Sequence, residues 1–393
     1  MRDDVIYFDN GATSWPKPPE MGEAMMHFLT EVGASPGRSG HTLAVEAGHI
    51  VYSCRENLCR LFNLKHPQQI AFTKNITESF NIVFFTILEK GDHVITTSME
   101  HNSVMRPLRY LEAQGVIELS VVQADAKGVC AVEDFAAAMR PCTRMVAINH
   151  SSNVTGTLQD IAAIGKACKA IKPDVLLVVD AAQSAGAYPI DAEKMGVDIL
   201  CFTGHKSLLG PTGTGGVYLT PAVTPRPFMH GGSGSKSDME VHPLFMPDVW
   251  EAGTINIVGL AGLNASLEYL LKTGVENIRA HEIAVTQRFI DGVKDHPMVK
   301  VYGPLDANKK TPVTSVNIEG IVCSTVGTEL NDACGIMVRT GLHCAPGAHK
   351  TIGTFPVGSV RFSFGGYTTP AQIDVGIQAI RALADYAAEQ KEV

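Results

Sequence analysis

Seven short apolar runs constrain the fold of this chain more than any other feature. They are Gln69–Thr73, His93–Thr97, Glu118–Val122, Arg144–His150, Leu176–Asp180, Asp198–Phe202 and Gly216–Leu219. Longer stretches with helical spacing lie between them, among them Thr77–Leu88, Ser103–Gln114 and Asp160–Ile171. An unbroken apolar run fits a strand buried on both faces. Such runs alternating with helices predict an α/β fold whose sheet is mostly parallel and covered on both sides. Upstream, Ile50, Cys54, Leu58 and Leu61 keep helical spacing and predict a helix packed on that sheet.

The pattern changes after Gly231. Residues Gly231–Asp238 are rich in Gly and Ser and read as an exposed loop, and a helical region follows from Ile257 to Asp295 with a break near Gly274. The last hundred or so residues read as a smaller α+β unit, with runs at Val299–Tyr302, Thr314–Ile318, Ile336–Thr340 and Val360–Phe364 and helices at Thr325–Cys334 and Pro370–Ala388. The expected division is a large domain over 15–260 and a small α+β domain formed by 1–14 and 261–393. A chain of 393 residues has room for both. With 45% hydrophobic and 18% charged residues it is not a disordered chain, and a net charge of −8 argues against nucleic acid as a partner. The opening Met-Arg-Asp-Asp-Val has no apolar signal region and no run is long enough to span a membrane, so a cytoplasmic protein is expected.

Nine cysteines, at 54, 59, 130, 142, 168, 201, 323, 334 and 344, form an odd, irregular set without a CxxC pair. That is not a disulfide framework, and it fits a reduced compartment. Eight read as small buried hydrophobes. Cys344 differs, because it sits among Gly, Pro and cationic residues in Gly341–Gly353, which reads as a loop.

Five run ends carry polar side chains. Lys206 follows Phe202-Thr203-Gly204-His205, and a lysine desolvated there is a nucleophile toward a carbonyl, although most lysines are simply solvated. Asp180 ends Leu176–Val179 as a buried carboxylate in need of a cationic partner, or as a helix cap. Asn75-Ile76-Thr77 opens a helix whose free N–H groups suit a phosphate. His101, in Ser98–Asn102, is placed to stack on a ring and relay protons, and His150–Gly156 supplies Asn153. Each is weak alone. Together they present phosphate donors, a stacking imidazole, an acid and an amine along one expected edge. That set fits pyridoxal 5'-phosphate, with the lysine condensing with its aldehyde and the aspartate keeping its pyridine nitrogen protonated.

Along nearly its whole length the chain resembles the cysteine desulfurase and selenocysteine lyase family, class V aminotransferases of pyridoxal-phosphate fold type I. The resemblance is carried by Tyr7-Phe8-Asp9-Asn10-Gly11-Ala12-Thr13, Glu100-His101, Asn153, Asp180-Ala181-Ala182-Gln183, Gly204-His205-Lys206, Gly253-Thr254 and Arg339–Ala345. It implies a seven-stranded large domain and that Lys206, His101 and Cys344 are catalytic. It also implies that Asp180 pairs with the pyridine nitrogen, that Gln183 approaches the ring hydroxyl, and that Thr77, Thr203 and His205 hold the phosphate. Thr254 would reach the phosphate of a second copy, which makes a homodimer with shared sites. Asn153 and Arg361 would grip the substrate carboxylate, and Arg38, His41 and Arg339 would line the pocket. The implied reaction converts L-cysteine to L-alanine, leaving a persulfide on Cys344 for a sulfur-acceptor protein. Selenocysteine cleavage and transamination are the alternatives. The short loop around Cys344 resembles group II members, which read Gly-His-His-Cys where this chain has Gly341-Leu342-His343-Cys344, and Ser where it has Thr203. A metal on Cys344, His343 and His349 would lack further ligands, so none is expected.

Overall fold

The computed structural model describes residues 5–36 and 40–392. In chain order, strand β1 (Ile6–Tyr7) leads to helices α1 (Pro19–His27) and α2 (Thr42–Phe62). Strands and helices then alternate as β2 (Ile70–Thr73), α3 (Ile76–Ile87), β3 (Asp92–Thr97), α4 (Asn102–Ala113), β4 (Ile117–Val122), α5 (Val132–Ala138), β5 (Thr143–Asn149), α6 (Ile161–Ile171), β6 (Leu176–Asp180), β7 (Ile199–Thr203) and β8 (Gly215–Leu219). The remainder is α7 (Ile257–Thr273), α8 (Val275–Val293), β9 (Val299–Tyr302), β10 (Val313–Ile318), α9 (Cys323–Cys334), β11 (Ile336–Met337), β12 (Arg339–Gly341), α10 (Pro346–Thr351), β13 (Ser359–Ser363) and α11 (Pro370–Glu392).

All seven expected strands of the large sheet form, in the order β2-β8-β7-β6-β5-β3-β4. The pairs β3–β4, β3–β5, β5–β6 and β6–β7 are parallel, while β8 runs against both of its neighbours. Hence β2 points the same way as β3 to β7, and their carboxyl ends share one edge. The chain order reverses between β3 and β5, where open α/β sheets place ligands. Side chains alternate across the sheet. Val146, Ile148, Val179, Leu200 and Phe202 pack with Cys54 and Leu58 of α2, whereas Met145, Ala147, Val178, Ile199 and Cys201 pack with Phe80, Phe84 and Leu108 of α3 and α4. Polar caps start several of the helices. Asn75 Oδ1 accepts from Glu78 N–H at 3.1 Å, Asp160 Oδ1 from Ala163 N–H at 2.9 Å and Asn256 Oδ1 from Gly259 N–H at 3.0 Å.

The second unit is an antiparallel sheet, β12-β13-β10-β9, over a core of Phe289, Leu330, Phe362, Phe364 and Ile380. Phe8 joins that core, and β1 pairs with β11, so the start of the chain packs with its end.

Four local expectations change. The break at 260/261 falls inside α7, whose Leu263, Leu267 and Leu270 belong to the large sheet's core. The change in packing comes at Gly274, where φ is 84°. Ile336–Thr340 is divided between two sheets, β11 pairing with β1 and β12 with β13. The Gly341–Gly353 loop contains the one-turn helix α10. Cys142 and Cys334 are exposed, so six cysteines besides Cys344 fit the buried-hydrophobe description instead of eight. Among the described residues no helix is long and apolar enough to cross a membrane.

Candidate active site

The carboxyl edge of the large sheet carries five polar turns. Lys206 lies just after β7. Burial lowers its pKa to about 8, with the Arg361 and Arg339 charges pushing the same way and Asp180 opposing them. Asp180 ends β6, is 5% exposed, and accepts from Ala182 N–H at 2.8 Å. Burial raises its pKa, while that hydrogen bond and the Lys206 charge pull it down. His101 caps α4, its Nδ1 accepting from Ser103 N–H at 3.0 Å and meeting Ser103 Oγ at 2.9 Å. Burial, followed by the Lys206, Arg361 and Arg106 charges, lowers its pKa to about 4, so the ring is neutral at physiological pH. His205 is lowered to about 4 in the same manner, and its buried Nδ1 has no partner.

The small unit supplies the other wall. Arg361, on β13 and 3% exposed, donates to the Asn153 carbonyl at 3.2 Å and to Asp9 Oδ1 at 2.8 Å. Its buried Nε has no partner. Arg339 donates from Nε to Asp9 Oδ1 and Oδ2 at 3.2 and 3.0 Å, and its Nη2 lies 2.9 Å from Oδ2. Asp9 thus neutralises two arginines, a role that sequence reasoning missed. The signal available was an acid directly after the apolar Ile6–Phe8.

Cys344 is exposed on a turn pinned from both sides. Asn153 Nδ2 donates to the His343 carbonyl at 2.7 Å and Asn102 N–H to the Cys344 carbonyl at 2.8 Å. His343 and Cys344 have φ of 48° and 58°, a left-handed conformation costly for side-chain-bearing residues. The His343 ring turns inward, with Nε2 3.2 Å from Ser359 Oγ and its centroid 5.3 Å from that of His349. Burial and the nearby cations lower its pKa to about 2. Among the described residues no three His, Cys, Asp or Glu side chains form a metal-binding group.

The structure therefore brings Lys206, Asp180, His101, Arg361 and Arg339 within electrostatic reach of one another, with Asn153 bonded to Arg361 and to the His343 turn and Cys344 near Arg339. Gln183 also reaches the N-terminal segment, donating to the Gly11 carbonyl at 2.9 Å. Thr203 is buried with Oγ1 3.5 Å from the Thr214 carbonyl. Thr77 is exposed in the first turn of α3, and Thr254 is exposed beside Thr73 and Lys74. His41 acts as a helix cap, accepting from Ala44 N–H at 3.2 Å. Arg38 lies outside the described residues.

The donor set fits pyridoxal phosphate. A buried acid stands ready for a ring nitrogen, a lowered lysine amine for an aldehyde, and a neutral imidazole for the ring face. The free N–H groups of α3 and the unpartnered His205 face the needs of a phosphate.

Comparison with known proteins points the same way. The family model described as Aminotransferase class-V matches residues 6–375. A Methanothermobacter thermautotrophicus protein named "Probable cysteine desulfurase" is 34% identical, over 97% of this chain and 95% of that relative. "Cysteine desulfurase IscS" of Vibrio campbellii is 33% identical, over 96% and 92%. Among solved structures, the apo cysteine desulfurase of Thermococcus onnurineus superposes with a TM-score of 0.90 at 32% identity, covering 98% of this chain and 95% of that one. The Escherichia coli cysteine desulfurase CsdA gives 0.87 at 26%, covering 99% and 96%.

Proposed function

Because the chain belongs to the cysteine desulfurase family of the class-V aminotransferases, we propose that it takes sulfur from L-cysteine through Cys344 and passes it to an acceptor protein. The observation that carries this assignment is an exposed cysteine on a pinned turn near Arg339, whose charge also reaches a lysine of lowered pKa.

Bound pyridoxal phosphate supplies an electron sink next to the substrate's α-carbon. Lys206 would hold it, Asp180 would keep its ring nitrogen protonated, Gln183 would approach its hydroxyl, and Thr77, Thr203 and His205 would hold its phosphate. His101 would lie against the ring and move a proton at Nε2, since Nδ1 is engaged by Ser103. Arg361 forks onto the substrate carboxylate, with Asn153 beside it. That orientation presents the substrate sulfur to the Cys344 thiolate. A sulfur–sulfur bond forms and the Cβ–S bond breaks. The electron pair stays on the carbon side and takes up a proton, so alanine leaves and a persulfide remains on Cys344. Arg339 lies close enough to interact electrostatically with Cys344.

The working form is a homodimer in the reducing cytoplasm. Tyr52, Val241 and Leu244 are half or more exposed in the single chain, and Tyr52 lines the same cavity as Thr254, which would contact the partner copy's phosphate. The test is an assay with L-cysteine and a thiol reductant that measures alanine and sulfide together. Equal yields are expected, lost in Cys344→Ala but kept in Cys142→Ser and Cys334→Ser. Pyruvate in place of alanine, or full turnover by Cys344→Ala, would overturn the assignment. L-selenocysteine in the same assay distinguishes the selenium reaction, which has the better leaving group.

A further inference from the structure

Glu100 is buried directly before His101, at 1% exposure, and no step described so far uses it. Its Oε1 accepts twice, from Thr97 Oγ1 at 2.7 Å and from Asn149 N–H at 3.0 Å. Its Oε2 is buried without a partner. Asn149, 3% exposed, has the matching defect. Its Nδ2 donates to the Met99 carbonyl at 2.7 Å, which fixes the amide's orientation, and its Oδ1 is then left without a donor. Two buried acceptors thus stand orphaned on residues already joined by a hydrogen bond. A single proton shared between them satisfies both, whereas an ionised carboxylate leaves each uncompensated.

The position gives this proton consequences. Asn149 is the register partner of Asp180 across β5–β6. The charged groups facing Glu100 include Asp180 from the end of β6, while the Cys130 thiol lies on the segment before α5. Burial first, and then the Asp180 charge, raise the Glu100 pKa to about 8, against the pull of its two hydrogen bonds.

We propose that Glu100 is a protonated positioning residue, donating from Oε2 to Asn149 Oδ1, and that it locks the ends of β3 and β5 beneath His101 and Asp180 without adding a second negative charge there. Its consequence for catalysis rests on the desulfurase assignment, but its proton does not. Glutamine offers the same acceptor and donor as the protonated acid, whereas aspartate is too short and alanine offers neither.

The first test is infrared spectroscopy of the cofactor-free protein. Glu282 is also buried and raised, so the carbonyl band of protonated carboxylic acid at pH 7 has more than one source. The component that fades with a midpoint near pH 8 is expected to be missing from Glu100→Gln. The second is the pH dependence of L-cysteine turnover. Glu100→Gln should stay within about threefold of the parent and lose the alkaline fall near pH 8, while Glu100→Asp and Glu100→Ala should drop about tenfold or more. If Glu100→Ala does not fold, the parent and Glu100→Gln carry the comparison. An acid band that Glu100→Gln leaves unchanged, or a Glu100→Gln loss as deep as that of Glu100→Asp, would overturn the proposal. An intact band in a protein that never turns over L-cysteine would overturn the desulfurase assignment instead.

Discussion

Arg339 and Arg361 face each other as register partners across the antiparallel β12–β13 pair. Like charges directly opposite on a sheet repel. Asp9, brought in on the segment after β1, accepts from both and makes the pair tolerable. The arrangement leaves a cationic wall with one buried arginine free to fork onto a carboxylate.

Arg361→Ala should therefore lower kcat/KM for L-cysteine by roughly two to three orders of magnitude, mainly through KM. Asp9 keeps Arg339 as its partner in that variant, so no carboxylate is stranded. Arg361→Lys should recover little, because a point charge does not reproduce the fork. Steady-state kinetics check both.

Asn153→Ala removes the donor that pins the His343 carbonyl. Holding two side-chain-bearing residues left-handed costs about 1–2 kcal/mol each, so the freed turn should relax. The expected result is a fall in kcat of about tenfold or more. Cys344 alkylation in the cofactor-free protein should also change in rate.

His93, His150 and His349 are buried and each is lowered by burial to about pKa 4. A depressed pKa contributes stability that is present above the ordinary histidine value and is lost as pH falls toward 4. Glu100 acts with the opposite sign, since its raised pKa removes stability as pH climbs toward 8. The thermal midpoint should thus fall as pH drops below the ordinary histidine value toward 4. Above neutrality the Glu100 loss, complete near pH 8, is opposed by the buried Lys310, whose pKa burial lowers to about 7. Each histidine should contribute on the order of 1–3 kcal/mol to the acid limb. Melting curves across pH check this, and Glu100→Gln should remove the Glu100 loss, which runs from the ordinary value of 4.5 up to about 8, and leave the histidine contribution in place.

Gly186 has φ of 89°, and a Cβ there would come within 2.2 Å of the Ser207 carbonyl, one residue past Lys206. Gly186→Ala should cost more than about 2 kcal/mol and displace the lysine turn. Gly22, inside α1 with open space around it, is the control, where alanine should stabilise by roughly 0.5–1 kcal/mol. Denaturant unfolding with activity measurements distinguishes the two.

Much of the large sheet was legible because its strands are buried on both faces. Met145–Ile148 and Leu176–Val179 are continuously apolar up to Asn149 and Asp180, and those polar ends mark the site. The small unit was harder to read. Ile336–Thr340 looks like one strand, yet its two halves pair with partners more than three hundred and about twenty residues away along the chain, β1 and β13. The 260/261 break was misplaced because α7 is apolar nearly all round, and apolarity does not say which core a helix joins. The inward turn of the His343 ring toward Ser359 was not legible in the sequence, because it goes with the positive φ of His343 and Cys344.

The sequence by itself determined which residue types stand at which strand ends, because burial periodicity and chain order are local properties. On these rested the α/β class, the lysine, the acid, the imidazole and the odd cysteine. Only the tertiary structure decided which charges neutralise one another. Asp9 between Arg339 and Arg361, the orphaned pair Glu100 and Asn149, and the two amides that pin Cys344 all join segments far apart in the chain. Such pairings are set by long-range packing, which closes distances that no local pattern encodes.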